Sequence, residues 1–292
     1  ELSGAVRLLG EVASANRTGR LAPANTTMQA GQDSLRSELS FKGRAGPVRA
    51  EATLWQAQNH PGGGAHDSRF NELYWAGQAG DWHLTLGKKI VSWDVGQGFR
   101  PLDVIQQENR RALYGGTLEG VRVAMAERYV GDAAWSAVLA NPLKEGEARG
   151  PQEAAAALHY YLHHGRTDWH AVARWGRRTG SRGGVALAWV ASDAIEVHAS
   201  LLRADRLDRV SADGLPDAAQ PGSGGWQSTL GASWTGENQL SLLTEYWHDS
   251  RAWRSADWQA WQARASGLPA WLPAEARQGA LAALATAFGT PN

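Results

Sequence analysis

Nine histidines are the first place to look for chemistry, and four of them, His159, His163, His164 and His170, fall within the stretch HYYLHHGRTDWH. Metal ligation needs two or three imidazoles that converge, with hydrogen-bonding partners behind them. If the stretch is two extended segments around GRTD, His159 and His163 share a face but stand roughly 13 Å apart, too far for one ion. His170, across the turn, could approach His163, so a two-histidine site stays open beside the plainer reading of histidines that hydrogen-bond in a wet interior. Covalent catalysis would need a serine or aspartate activated by histidine. Ser200, two residues from His198, is the nearest such pair and has no evident third member. There is no Gly-x-Ser-x-Gly elbow, no phosphate-cradling Gly-x-x-x-x-Gly-Lys and no cysteine, which excludes thiol nucleophiles and thiolate-bound metals. No enzyme activity, metal or cofactor is expected.

The elements that would have to position these groups read as β-strands, because apolar and polar residues alternate with period two. Val6 and Leu8 oppose Arg7 and Glu11; Leu35, Leu39 and Phe41 oppose Arg36, Glu38 and Lys42; Val48, Ala50, Ala52 and Leu54 oppose Arg49 and Glu51. Further on, Val121, Val123 and Met125 oppose Arg122, Trp169 and Trp175 oppose His170 and Arg174, and Ile195, Val197 and Leu201 oppose Glu196 and His198. Trp226, Leu230 and Trp234 oppose Gln227 and Thr229, and the turn TGEN leads into Leu240, Leu242 and Tyr246. Strands are predicted over 3–14, 33–45, 47–58, 69–79, 81–92, 118–130, 133–140, 152–164, 167–177, 183–192, 194–204, 225–235 and 238–248.

A soluble sandwich also alternates, so the links and the composition have to discriminate. The links run long, short, long, short along most of the chain, as in outer-membrane barrels with tight turns at one rim and long loops at the other. Fifteen tryptophans and 34 glycines among 292 residues suit such a barrel, since amphipathic rings favour membrane interfaces. No stretch of about 18 apolar residues exists for a spanning helix, but spanning strands need only about 10 residues each. With 29 basic against 29 acidic residues there is no field that would recruit nucleic acid. A start at Glu1, without methionine or leader, is expected of a mature chain after signal-peptide removal.

The expected fold is therefore an all-β, antiparallel transmembrane barrel with thirteen visible strands in 1–248, completed to 14 or 16. Residues 249–292 read as an extracellular loop with one or two short helices, the helical spacing being carried by Leu281, Leu284 and Phe288. An odd strand number would leave unpaired edges in lipid, where each unsatisfied backbone group costs several kcal/mol. Missing strands, or a second protein chain that supplies or covers them, would have to close the wall.

One stretch carries a more particular pattern. In LGKKIVSWDVGQGFRPLD the residues Gly87, Lys88, Lys89, Val91, Trp93, Gly96, Pro101 and Asp103 lead from a strand into a long loop. This pattern resembles that of the porin-like barrels of Gram-negative outer membranes, including the alginate-export type. The resemblance implies passage of a small or polymeric solute through the outer membrane, among its lipids and lipopolysaccharide, rather than a reaction. The loop bears Asp94, Arg100, Asp103, Glu108, Arg110 and Arg111, charges that are costly against hydrocarbon and stable in a wet lumen. It is expected to fold inward and narrow the pore, pairing with the inward charges Arg7, Glu11, Arg36, Glu38, Lys42, Arg49, Glu51, Arg122, Arg174 and Glu196. Mixed signs predict no strong ion preference. The alternatives are a barrel that belongs to a multi-protein assembly and, with less in its favour, an outer-membrane lipid hydrolase.

Overall fold

The computed structural model describes residues 1–12, 33–60, 63–106, 118–142, 153–207, 209–210, 219–220 and 224–266. In chain order the strands are β1 (Leu2–Glu11), β2 (Asp33–Ala45), β3 (Val48–His60), β4 (Gly64–Ala79), β5 (Trp82–Lys89), β6 (Val121–Val130), β7 (Ala133–Ala140), β8 (Ala155–His164), β9 (Thr167–Gly176), β10 (Gly180–Ser192) and β11 (Ile195–Ala204). There follow β12 (Arg209–Val210), β13 (Ala219–Gln220), β14 (Gly225–Thr235), β15 (Ser241–Asp249) and the helix α1 (Ser255–Ser266). Thirteen strands form one antiparallel sheet in the order β1 to β11, β14, β15, each paired with its neighbour along the chain. The thirteen predicted strands are all present. The two-residue pair β12–β13, which the sequence did not suggest, forms a separate ribbon. Helix α1 begins where a helical stretch was expected, while Leu281, Leu284 and Phe288 lie outside the described residues.

Local chemistry explains the hairpins. Gly46, Gly80, Gly131 and Gly165 each open a two-residue turn with φ between 57° and 63°. A left-handed first turn residue matches the twist of the flanking strands, and glycine adopts it without a Cβ penalty. These tight turns lie at one rim, and most of the longer links lie at the other.

The sheet must be curled. Eight inter-strand steps separate β5 from β15, roughly 38 Å if the sheet were flat. The eight residues from Lys89 to Gln97 reach at most about 28 Å, yet Gln97 and Gly98 hydrogen-bond Glu245 on β15. Segment 90–106 therefore crosses the inside of a rolled wall. Its Leu102, Val104 and Ile105 pack with Val121, Val123 and Met125 of β6, Val138 of β7, Val172 of β9 and Leu202 of β11.

That core corrects one sequence reading. The alternation in β6 is as expected, but its sides are exchanged: Val121, Val123 and Met125 are buried under the segment, whereas Arg122 is exposed opposite Lys88 on the outer face. A strand's apolar face follows whatever covers it, and here the inward loop supplies an apolar cover. Elsewhere the expected sides hold. Leu158, Trp169, Trp175, Leu201, Trp226 and Leu230 stand outside, with His159, Arg174, His198 and Gln227 buried inside.

The outer face also sorts its aromatics. Trp82, Trp135, Trp169, Trp189 and Trp234, 40% to 52% exposed, lie within a few residues of the tight turns, and Trp175 and Trp226 lie at the other rim. Along β9 and β14 the two rows are roughly 20 to 27 Å apart measured along the strand, with an apolar outer face between them.

Candidate functional site

Segment 90–106 is the candidate site, and its folding follows from the residues of the Gly87–Asp103 pattern. Gly87 has φ 133°, and a Cβ there would collide with the Leu73 carbonyl. Just beyond it the ladder ends, because side chains take over as acceptors. The amide of Ile90 donates to Glu72 Oε1 at 2.8 Å and that of Val91 to Gln106 Oε1 at 3.2 Å. Asp103 Oδ1 then receives the amides of Trp93 at 2.7 Å and Asp94 at 3.0 Å, and the Ser92 hydroxyl donates to the same carboxylate. Asp94 in turn accepts from the amides of Gly96 and Leu102. Arg100 donates to the Asp94 carbonyl at 2.7 Å, and its Nε lies 3.0 Å from Asp103 Oδ2. The predicted β5 end at residue 92 thus shortens to Lys89. Burial pushes the Asp94 carboxyl above its ordinary value, and the neighbouring Asp103 charge acts the same way against the lowering by the two amides.

The far end of the segment is clamped to the opposite wall. Glu245 on β15 accepts both the Gln97 and Gly98 amides at 2.7 Å, the Trp247 indole at 2.9 Å and His198 Nε2 at 2.8 Å. Thr229 Oγ1 on β14 donates to the Phe99 carbonyl at 2.9 Å. Gly98 fits closely at this contact, since a Cβ would collide with Trp247 Cζ2, lie 2.6 Å from Glu245 Oε2 and force those side chains to move. Between the two anchors Trp93 stacks on His159, ring centroids 4.8 Å apart and 11° from parallel.

The inward fold of 90–106 is therefore as expected, but its means differ. Asp94, Arg100 and Asp103 are spent on the segment's own backbone and on each other, and apolar packing with the Glu245 clamp ties the segment to the wall. Glu108, Arg110 and Arg111 lie outside the described residues. The expected inward charges form two groups. On the β1–β3 wall, Arg7 stands 4.0 Å and Arg36 3.1 Å from Glu38, Lys42 stands 3.0 Å from Glu51, and Arg49 is exposed on the same face. Glu11, half-buried, ends this row on β1, and Glu196 lies 3.8 Å from His198 Nδ1 on β11.

Arg174 and Arg122 do not line a passage. Arg122 is on the outer face, and Arg174 is only 2% exposed. Its Nη2 donates to Glu153 Oε1 at 2.7 Å and its Nη1 to Thr179 Oγ1 at 2.8 Å, while Glu153 Oε2 accepts the amides of Arg178 and Thr179 at 2.7 and 3.1 Å. Burial alone would raise the Glu153 carboxyl, but the hydrogen bonds from Thr179 and Arg174 hold it below its ordinary value. A guanidinium taken from water has to find such a partner, so the inward direction of Arg174 did not make it solvent-lining.

The histidines pair differently from the expectation. His170 lies opposite Tyr161, and its Nδ1 meets His159 Nε2 at 3.1 Å, while His163 Nδ1 contacts Asp168 at 2.7 Å. The His159 and His170 rings are 22° from parallel with centroids 5.3 Å apart. That separation is close to the nitrogen distance plus two ring radii, so the rings meet head to head in one plane. This is the geometry of an N–H···N hydrogen bond, not of two lone pairs converging on an ion. Among the described residues no three His, Asp or Glu side chains form a metal-ligating group. Glu245 engages His198, and Ser200 Oγ has no partner among the described residues, so no nucleophile and base pair forms there.

No family model and no curated protein matches the chain. Among solved structures, a five-substitution variant of Rh. blastica porin aligns with TM-score 0.50 at 10% identity, over 86% of this chain and 86% of that one. A three-substitution variant of the same porin aligns at TM-score 0.48 and 11% identity, over 86% and 85%. The fold is porin-like. The inward segment was legible in the sequence, whereas its anchor Glu245 was missed, since nothing local marks a strand glutamate as the partner of amides almost 150 residues away.

Proposed function

We propose that this chain is an outer-membrane channel whose water-filled lumen is narrowed by segment 90–106. The observation that carries the reading is the segment itself, fixed across the inside of the rolled sheet from Glu72 on β4 to Glu245 on β15. It leaves the charged wall of Arg7, Arg36, Lys42 and Arg49 available to solvent. The exposed apolar outer face with its two tryptophan rows supports a place in the lipid of a Gram-negative outer membrane. The export-type resemblance makes a polymeric solute the narrower form of the proposal, and it rests on the Gly87–Asp103 pattern that folds the segment.

Planar-bilayer recording tests the reading. The protein is expected to conduct, and removal of residues 96–101 is expected to raise the single-channel conductance. An unchanged conductance would reject the segment as the constriction. A second reading, a barrel within a multi-protein assembly, is favoured by one observation: β1 and β15 each pair on one side only among the described residues. Copurification of a second chain that protects those edges would support it.

A further inference from the structure

The outer face of β5 to β9 is not uniform. Ala124 and Ala126 on β6, Ala137 on β7 and Ala156 on β8 floor an apolar groove of about 430 Å³, with Leu86 and Trp175 on its flanks. The rows are set by register: Leu86 faces Ala124, Ala124 faces Leu139, Leu139 faces Ala156 and Ala156 faces Trp175. One row further toward the loop rim the same face carries Lys88 opposite Arg122. The Phe70 carbonyl, at 2.7 Å, and Glu119 hold the Lys88 ammonium. The Arg122 guanidinium is exposed and has no ion pair among the described residues. Glu119 also lies 3.9 Å from Arg69, so among the described residues cations outnumber the carboxylate at this rim. At the opposite end the same face carries Trp82, Arg128 and Trp135 in register, with the Arg128 guanidinium 3.3 Å from Asp81.

A groove sized for a small ligand, apolar along its length, with its far-end cation Arg128 neutralised by Asp81 and a cation outside any ion pair among the described residues only at the loop rim, matches the amphipathy of a lipid. We propose that it holds a membrane lipid with a phosphorylated headgroup, the phosphate at Arg122 and Lys88 and one acyl chain along the alanine floor. This rests on the reading that the outer face meets a bilayer. Charge complementarity selects the occupant: an arginine with no ion pair among the described residues is costly beside hydrocarbon, and a phosphate accepts its planar fork bidentately. A second copy of the chain would have to bury that arginine against an apolar surface.

The test reconstitutes the full chain into phosphatidylcholine vesicles doped with a two-phosphate glycolipid or with the same glycolipid stripped of phosphate. Lipid retained after mild detergent extraction is counted by native mass spectrometry. The phosphorylated form is expected to be retained preferentially, Arg122→Gln to lower its retention about fivefold, the effect of one cation at a lipid surface, and Ala126→Trp to lower it similarly by filling the floor. Retention of the phosphate-free form should not respond to Arg122→Gln. Equal retention of the two forms by the wild-type protein would overturn the proposal. So would an Ala126→Trp variant that keeps its lipid while an oligomer falls to monomers, which would assign the groove to a second copy. If brominated phosphatidylcholine leaves tryptophan fluorescence unquenched, the bilayer reading fails and this inference with it. Quenching without phosphate preference overturns the lipid site alone.

Discussion

Glu153 shows how much of this wall depends on single charges. Its carboxylate closes a buried set with Arg174, Thr179 and two backbone amides, and loss of one partner would leave the guanidinium uncompensated. Glu153→Gln is expected to cost about 3 kcal/mol, read as a lowered urea midpoint of the vesicle-inserted protein. The pH dependence has a definite sign. The folded-state value of Glu153 is depressed below the ordinary 4.5, so its contribution is complete above that value and is lost as pH falls through the folded one. The wild-type and Glu153→Gln midpoints should be furthest apart at neutral pH and converge only in acid. Parallel curves would show that the carboxylate's charge is not what holds Arg174. Sequence reading found Arg174 on the inner side but placed it in a pore, because the partner that shuts it from water lies 21 residues away in a different link.

Segment 90–106 is the element on which the proposed channel turns, and its tip meets one carboxylate, Glu245, at a glycine, Gly98. Hydrogen bonds to a charged group contribute about 1.5 to 3 kcal/mol each, so Glu245→Gln should loosen the tip without disturbing the apolar half around Leu102 and Ile105. Gly98→Val should displace it outright, since a Cβ at that position would meet Glu245 Oε2 and Trp247. Limited chymotrypsin digestion after Phe99 in the inserted protein is the measurement. Both variants should be cut faster than the wild type, with Gly98→Val the faster, and equal rates would mean that the Glu245 clamp does not retain the segment. The sequence revealed the strand, the glycines and the Asp103 turn because these are local. It misassigned the side of Val121, Val123 and Met125 for the converse reason. Period two tells which residues share a face, and only the packing of a distant segment tells what that face meets. In most strands the charged face was the inner one; in β6 the inward loop brings its own apolar residues and reverses the rule.

At the scale of the molecule the unresolved demand is the sheet's two margins. β1 and β15 have exposed apolar side chains on the outer face, Val6 and Leu8 on one and Leu242 and Tyr246 on the other, so on the proposed bilayer reading both margins share one hydrocarbon layer with the rest. There the N–H and C=O groups of each margin that have no partner among the described residues would cost several kcal/mol apiece unless paired, far more than a domain's net stability when summed over two strands. The bilayer reading therefore requires that these groups find backbone partners, whether from each other, from further strands or from another chain. In vesicles the amides of residues 2–11 and 241–249 that point away from β2 and β14 should exchange with deuterium as slowly as those in β8 and β9. In detergent, where water can reach an open margin, the same amides should exchange faster if an added strand has been lost and stay slow if β1 and β15 pair directly. Fast exchange in both media, with β8 and β9 protected, would place the margins in water and refute the membrane-spanning wall.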